Sequence, residues 1–408
     1  MKAHFLFVLV LSFSFFQCKK SDNPQPTGVQ FSCDDSPATC ELTDANGNFA
    51  IDLFKQINVE NPDGNVFISP FSISTALTMT ANGANAKTLE DMRNTLRISG
   101  LGMPTVNDAY KLLLEVLPGL DPKTKLKLAN SIWPQVDYPF LQSFIDLNTQ
   151  YFNSEVKPVD FKDPAVIGQV NQWVEDNTDG LIKETLTELP PGVVMLLINA
   201  IYFKGTWKTE FKPADTHPAD FYTANGPVEV DMMHIQENNF PYFENSLFQA
   251  IDLPYGDSIF SMSVFLPKEG HSVGEVVAEI NAQNWDAWVS AFNTTEVQLY
   301  FPKFKMEYGK KLKRTLSDMG MEVAFTDFAD FSKMVNGGGV LIDDVIHKSF
   351  IEVDEKGTEA AAVTVVIIKE TSAGQTPTVN VNRPFLFVIR DNRTNSILFM
   401  GKMVEPGA

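Results

Sequence analysis

The amino-acid sequence predicts an α+β fold, and three observations carry that prediction. Segments with helical spacing of apolar residues crowd the first half of the chain, and strand-like segments crowd the second. The run Val193–Phe203 is apolar except for Asn199, the pattern of a central strand buried on both faces. The chain then closes on two strand-like segments, Pro384–Arg390 and Ser396–Val404, joined by a hairpin turn at Asp391 to Asn395.

The elements read as follows. Lys2 and the apolar run Phe5–Phe16 have the length of a signal peptide and are too short to span a bilayer. Cys18 follows directly, so residues 1–18 read as a signal peptide with a candidate lipidation site. Ordinary secretion with an incidental cysteine is the other reading, because Phe16 and Gln17 precede Cys18 where small residues are expected. Residues 19–40 are polar and carry Pro, Gly and Ser, the composition of a flexible tether. A folded body is expected over 41–408 as one domain, since no interior linker divides it. Within it, Glu41–Ile57 reads as a helix, with Phe49, Leu53 and Phe54 at helical spacing. A short strand runs into Ser69, and Pro70 suits the first turn of a helix ending near Asn82-Gly83. Ala86–Leu96, 140–152, 165–178 and Lys310–Met319 read as further helices. Leu126–Val136, Phe260–Phe265, Val297–Phe301 and Val340–Asp354 read as strands.

The net charge of −19 argues against nucleic-acid or anionic-membrane partners, which require clustered Lys and Arg. Solubility explains it, and attraction to basic proteins is the functional alternative. Three cysteines are an odd number for an exported chain. Lipidation of Cys18 leaves Cys33 and Cys40 as a pair, either disulfide-bonded or free in the tether. No metal or cofactor is implied, because none of His217, His234, His271 and His347 has metal-ligand spacing. No G-x-S-x-G elbow is present, and Gly256-Asp257-Ser258, which resembles a hydrolase Gly-Asp-Ser motif, follows Leu253-Pro254-Tyr255 and precedes a strand.

The segment Glu355-Lys356-Gly357-Thr358-Glu359-Ala360-Ala361-Ala362 is the most informative in the chain. Gly357 is free to take any backbone angle, small residues follow, and Val365-Val366-Ile367-Ile368 has strong strand preference. A flexible joint feeding a latent strand reads as a segment able to change its sheet partners. Asn199 and His347 lie inside apolar runs, where a polar side chain must find partners. Ser69, Ser72, Asn199 and His347 are able to satisfy one another.

The joint resembles the reactive-loop hinge of serpins, protease inhibitors that trap a target by inserting a cleaved loop into a sheet. The resemblance extends to Asn65–Met79 with Gly83 and Thr88, to Asn171–Ile182, to Asn199–Trp207, to Phe301-Pro302-Lys303-Phe304, to His347-Lys348 and to Phe399-Met400-Gly401-Lys402. It implies a serpin fold, with a large mixed main β-sheet, additional sheets, about eight or nine helices and an exposed reactive loop at about 357–383, entered through a hinge at 354–364. It makes Ser69, Ser72, Asn199 and His347 the polar network, or shutter, under the point where the sheet opens. Trp207 becomes the breach, where the loop first enters.

The resemblance also implies a function. Thr358, Ala360, Ala362, Thr364, Val366 and Ile368 alternate along the loop, and none is Pro or charged, as an inserting face requires. The expected activity is irreversible inhibition of serine proteases through a covalent acyl complex, with no catalysis by the chain itself. A non-inhibitory binding protein or decoy substrate is the alternative. Counting forward about fourteen residues from Gly357 gives Thr371-Ser372 as the reactive bond, and counting back about eleven from Pro384 gives Ala373-Gly374. Small residues there suit elastase-like and subtilisin-like pockets, whereas Lys369-Glu370 offers a trypsin-like alternative. A monomer, secreted or at the cell surface and possessing at most a lipid anchor, is expected.

Overall fold

A computed structural model describes residues 36–189, 191–358 and 376–407. Helix α1 (Pro37–Glu60) starts before the expected body. Ser36 to Cys40 looks like tether by composition, yet Pro37 stands in the first helical turn and Thr39 and Leu42 are buried. Cys40 therefore belongs to the folded body, contrary to expectation, and it is disulfide-bonded. Cys18 and Cys33 lie outside the described residues.

After α1 come β1 (Val66–Ile68), α2 (Pro70–Ala81), α3 (Ala86–Thr95) and α4 (Met103–Val116). Then follow β2 (Thr124–Pro134), α5 (Gln142–Phe152), β3 (Glu155–Val156), α6 (Ala165–Asn177) and β4 (Met195–Thr206). The second half holds β5 (His217–Thr223), β6 (Gly226–Glu244), β7 (Phe248–Pro254) and β8 (Phe260–Pro267). Two short helices, α7 (Val273–Glu279) and α8 (Ala282–Ser290), precede β9 (Asn293–Pro302), β10 (Phe304–Lys311) and α9 (Lys313–Leu316). The last elements are β11 (Ile346–Asp354), β12 (Gly357–Thr358), β13 (Thr378–Asn380), β14 (Phe385–Asp391) and β15 (Ile397–Met403).

Two sheets organise these strands. The main sheet has the order β10-β11-β12-β4-β2-β3, and the second runs β1-β15-β14-β8-β7-β6-β9-β13 with β5 on β6. Each is mixed, because β2 pairs β3 in parallel and β9 pairs β13 in parallel. Among the described residues the second sheet is one continuous nine-stranded sheet rather than several. Helix α2 lies between the two sheets, and all its residues but Ala76 are buried. Every residue of β8, β14 and β15 is buried, so the core is centred there.

Several expectations are corrected. Val340 to Val345 is not strand: β11 begins only at Ile346, because Gly337, Gly338 and Gly339 all adopt positive φ and break the extended run. Lys310 and Lys311 belong to β10, where their alternation pairs with Ile346 and His347, and the helix after them starts at Lys313. Strand β4 is not buried on both faces: Met195 to Asn199 are only half-buried. Strands β5 to β7 and helices α4, α7 and α8 add to the expected elements; in α4, Val106, Ala109, Tyr110, Leu113 and Val116 form a buried face at helical spacing.

Candidate functional site

The site is the seam between β4 and β11. These strands do not pair with each other among the described residues; Gly357 and Thr358 sit between them and pair with both. Thr358 stands opposite Gly205 on one side and Val353 on the other. Below Gly205, β4 has no described strand on its β11 side; Met195 to Asn199 there are half-buried, while Ala200 to Phe203 are buried.

Two glycines make this approach possible. A Cβ on Gly357, at φ +155°, would lie 2.0 Å from the Gly205 carbonyl oxygen, and a Cβ on Gly205 would lie 2.6 Å from the Tyr255 ring. The first contact is with backbone, so the two strands meet there only because Gly357 lacks a Cβ; the second would press on the buried ring that closes the seam. A tight turn feeds the segment in. The Asp354 carboxylate accepts the N–H groups of Lys356 at 2.9 Å and Gly357 at 3.2 Å. Glu355 is fixed by Lys303 at 3.1 Å and by the Thr216 hydroxyl at 3.0 Å, and these partners hold its carboxyl below the usual range against the opposing effect of burial.

Aromatic packing closes the upper end. Trp207 stacks on Tyr255 with centroids 4.4 Å apart and planes 12° from parallel. The Trp207 indole N–H donates to the Asp354 carbonyl at 3.0 Å, and its backbone N–H donates to the Lys356 carbonyl at 2.7 Å. The Tyr255 hydroxyl lies 2.7 Å from the Thr358 hydroxyl in a fully buried pair. Burial drives the Tyr255 phenol pKa well upward, so it stays a neutral hydroxyl.

Halfway down the seam the chemistry turns polar, and Ser69, Ser72, Asn199 and His347 come together. Ser69 caps α2: its hydroxyl accepts the Ser72 N–H at 3.2 Å and donates to the Leu398 carbonyl of β15 at 2.8 Å. The Ser69 backbone N–H donates to His347 Nε2 at 3.1 Å. The ring is fully buried, and burial pulls its pKa down to about 4. It is therefore neutral at pH 7, with its remaining proton on Nδ1. The Ser72 hydroxyl donates to the Asn199 carbonyl oxygen, and the Asn199 amide donates to Asn130 Oδ1 at 2.6 Å. Asn130 passes the chain on to the Phe152 carbonyl at the end of α5, 2.8 Å away. Asn130 was missed in the sequence. Its signal was a polar residue in the Ala129–Trp133 stretch, which reads as mostly buried, and it faces Asn199 directly across β2 and β4.

The remaining expected residues divide simply. Ser258 occupies a turn at φ +70°, and its hydroxyl accepts from Lys208 at 2.9 Å. Among the described residues no group of three or more His, Cys, Asp or Glu is arranged to hold a metal ion. Glu359, Ala360, Ala361, Ala362, Lys369, Glu370, Thr371, Ser372, Ala373 and Gly374 lie outside the described residues.

Fold and seam together define an α+β protein in which a loop of the chain begins as a strand between two strands of its own main sheet. The family model described as Serpin (serine protease inhibitor) matches residues 44–406, and the chain belongs to the serpin family. An uncharacterised serpin-like protein of Thermococcus kodakarensis is 38% identical over 90% of this chain and 86% of its own length. Human Serpin B4 is 34% identical over 90% of this chain and 99% of its own. The native structure of the thermophilic serpin tengpin superposes with a TM-score of 0.81 at 34% identity, covering 90% of this chain and 94% of tengpin. Human thyroxine-binding globulin superposes with a TM-score of 0.83 at 28% identity, covering 91% of this chain and all of the globulin chain.

Proposed function

We propose that this serpin is an irreversible suicide-substrate inhibitor of serine endopeptidases, acting by cleavage of its loop and insertion of the severed arm between β4 and β11. The observation that carries the reading is the pairing of Gly357 and Thr358 with both strands, which starts an inserted strand in the register it would keep. Carried down unchanged, that register brings Ala360 opposite Phe203, Ala362 opposite Ile201, and Thr364 opposite both Asn199 and His347. The only hydroxyl among the alternate residues after Thr358 thus arrives at the polar level of the seam.

The chemistry needs no catalytic group from this chain. The protease serine oxygen attacks the Thr371 carbonyl, and the Thr371–Ser372 amide breaks. Ser372 leaves with a proton as a free amine, and Thr371 remains as an ester on the enzyme. About fourteen residues at roughly 3.3 Å each then carry that ester on the order of 45 Å as the arm inserts. Roughly a dozen new backbone hydrogen bonds at about 1 kcal/mol net each drive the movement. Dragging the ester out of the oxyanion hole stops water from completing the hydrolysis. The native state is on this reading kinetically trapped. Small residues around the bond favour elastase-like and subtilisin-like targets, and Lys369 adds a trypsin-like option.

The test is incubation of the chain lacking residues 1–18 with pancreatic elastase, then subtilisin, then trypsin, read by denaturing gels and mass spectrometry. The reading requires a complex that survives boiling and a released peptide that begins near Ser372. Cleavage without a complex by all three enzymes would favour the alternative, a binding protein or decoy. Thyroxine-binding globulin, a protein with much the same fold, is known in complex with thyroxine, and that likeness is what favours the alternative.

Export is part of the proposal, with Cys18 as the lipid attachment point of a surface-anchored form and Cys33 as the partner of Cys40. Loss of metabolic palmitate labelling on C18S would support the anchor, and unchanged labelling would remove it.

A further inference from the structure

Helix α6 lies across the outer face of the seam. Its Val166, Val170, Trp173 and Val174 pack in one cluster with Trp133 of β2 and Ala200 of β4, and Phe350 of β11 packs against the same cluster. Any strand that enters between β4 and β11 must displace this contact. What holds the C-terminal end of α6 down therefore bears on how readily the sheet accepts a strand.

That end is held by charge. After α6, Asp179 at φ +51° and Gly180 at φ +81° form a left-handed turn, closed by the Gly180 N–H on the Glu175 carbonyl at 2.9 Å. The turn aims the Asp179 carboxylate at β2, where one oxygen pairs with Lys125 and the other with Lys127. Both ammonium groups also lie over the Tyr202 ring of β4, at 5.6 and 6.0 Å. Three elements thus meet at one carboxylate. Its pKa, lowered to about 2 by these two partners, fits a group ionised at every working pH.

We propose that Asp179 is a positioning residue for loop insertion, an ionic latch between α6 and β2 that must release before the sheet accepts a strand. The proposal rests on the insertion reading above. Insertion should therefore speed up when the latch is weakened, whether by mutation or by salt. The pairs are partly exposed, so the effect is modest, about two- to five-fold in rate.

The experiment offers the intact protein a synthetic peptide of residues 358–370 and follows its annealing by native gel and by the rise in thermal midpoint. D179N should anneal about two- to five-fold faster than wild type. K125Q/K127Q should match it, and adding D179N to that double variant should change nothing further. Wild-type annealing should accelerate with sodium chloride while D179N stays flat, a response that a merely structural residue would not give. D176N, on the same helix but outside the latch, should behave as wild type. Equal rates and equal salt dependence for wild type and D179N would overturn the latch while leaving insertion intact. Failure of the wild type to take up peptide, together with no gain in thermal midpoint after loop cleavage, would remove the insertion reading and the latch with it.

Discussion

The two levels of the β4–β11 seam are built from different materials. At the upper end Trp207, Tyr255 and the Gly205–Gly357 contact make an apolar, stacked closure around residues already paired as strand. Midway down, His347, Ser69, Ser72, Asn199 and Asn130 form a chain of hydrogen bonds linking α2, α5 and both sheets. An apolar contact loses its stabilisation when parted, whereas a hydrogen-bonded group can exchange one partner for another of like kind. On the proposed insertion, the upper level would fix where a strand starts and the middle level would let one pass.

The sharpest way to break this contrast is Thr358→Arg. Thr358 is 4% exposed and faces Tyr255, so a guanidinium there has no route to water or to an anion. Complex formation with elastase should vanish entirely while cleavage continues, and a persisting complex would show that Thr358 need not enter the sheet. The next largest effect belongs to the middle level. Asn199→Leu strands the Ser72 hydroxyl and the Asn130 carbonyl oxygen, which should lower native stability by about 2–4 kcal/mol in urea unfolding. A loss under 1 kcal/mol would mean the network is dispensable.

Acid should separate the two levels without mutation. The unfolded chain binds a proton on His347 from about pH 6.5 downward, whereas the folded ring resists until about pH 4. The stabilisation is complete above pH 6.5 and is lost as pH falls from there towards 4. H347Q should flatten that part of the stability profile, and an unaltered profile would place the acid response elsewhere. The smallest expected change is at the upper level. Trp207→Phe keeps the stack on Tyr255 but loses the hydrogen bond to the Asp354 carbonyl, about 1 kcal/mol. A much larger loss would show that the indole, not the stacking, holds the turn.

Much of this was legible in the sequence where local pattern and long-range partner coincide. Pro70 after a short strand announced α2, and Asn199 in an apolar run announced a buried polar contact. Asn130 was legible only as a polar residue in an apolar stretch; its role was not, because its partner Asn199 stands on a strand many residues away. The Lys125–Asp179–Lys127 group was invisible for the same reason: three charges in two separated segments look like solvated surface until α6 lies on β2. Val340 to Val345 misled because its apolar residues suit a strand, but three preceding glycines at positive φ set the backbone off on another course. Ser36 to Cys40 misled through composition, which cannot register the burial of Thr39.

Strand β1 pairs with β15, joining Val66 to Lys402 across more than three hundred residues of chain. At about 5–20 residues per second, the ribosome makes the second partner roughly 17 to 67 seconds after the first. For that interval β1 waits without its neighbour, and α2 without the carbonyl of Leu398 that Ser69 needs. The hinge and the residues after it emerge before β14 and β15 do. The second sheet is thus completed last, because β14 fills the place between β8 and β15 and β15 the place beside β1.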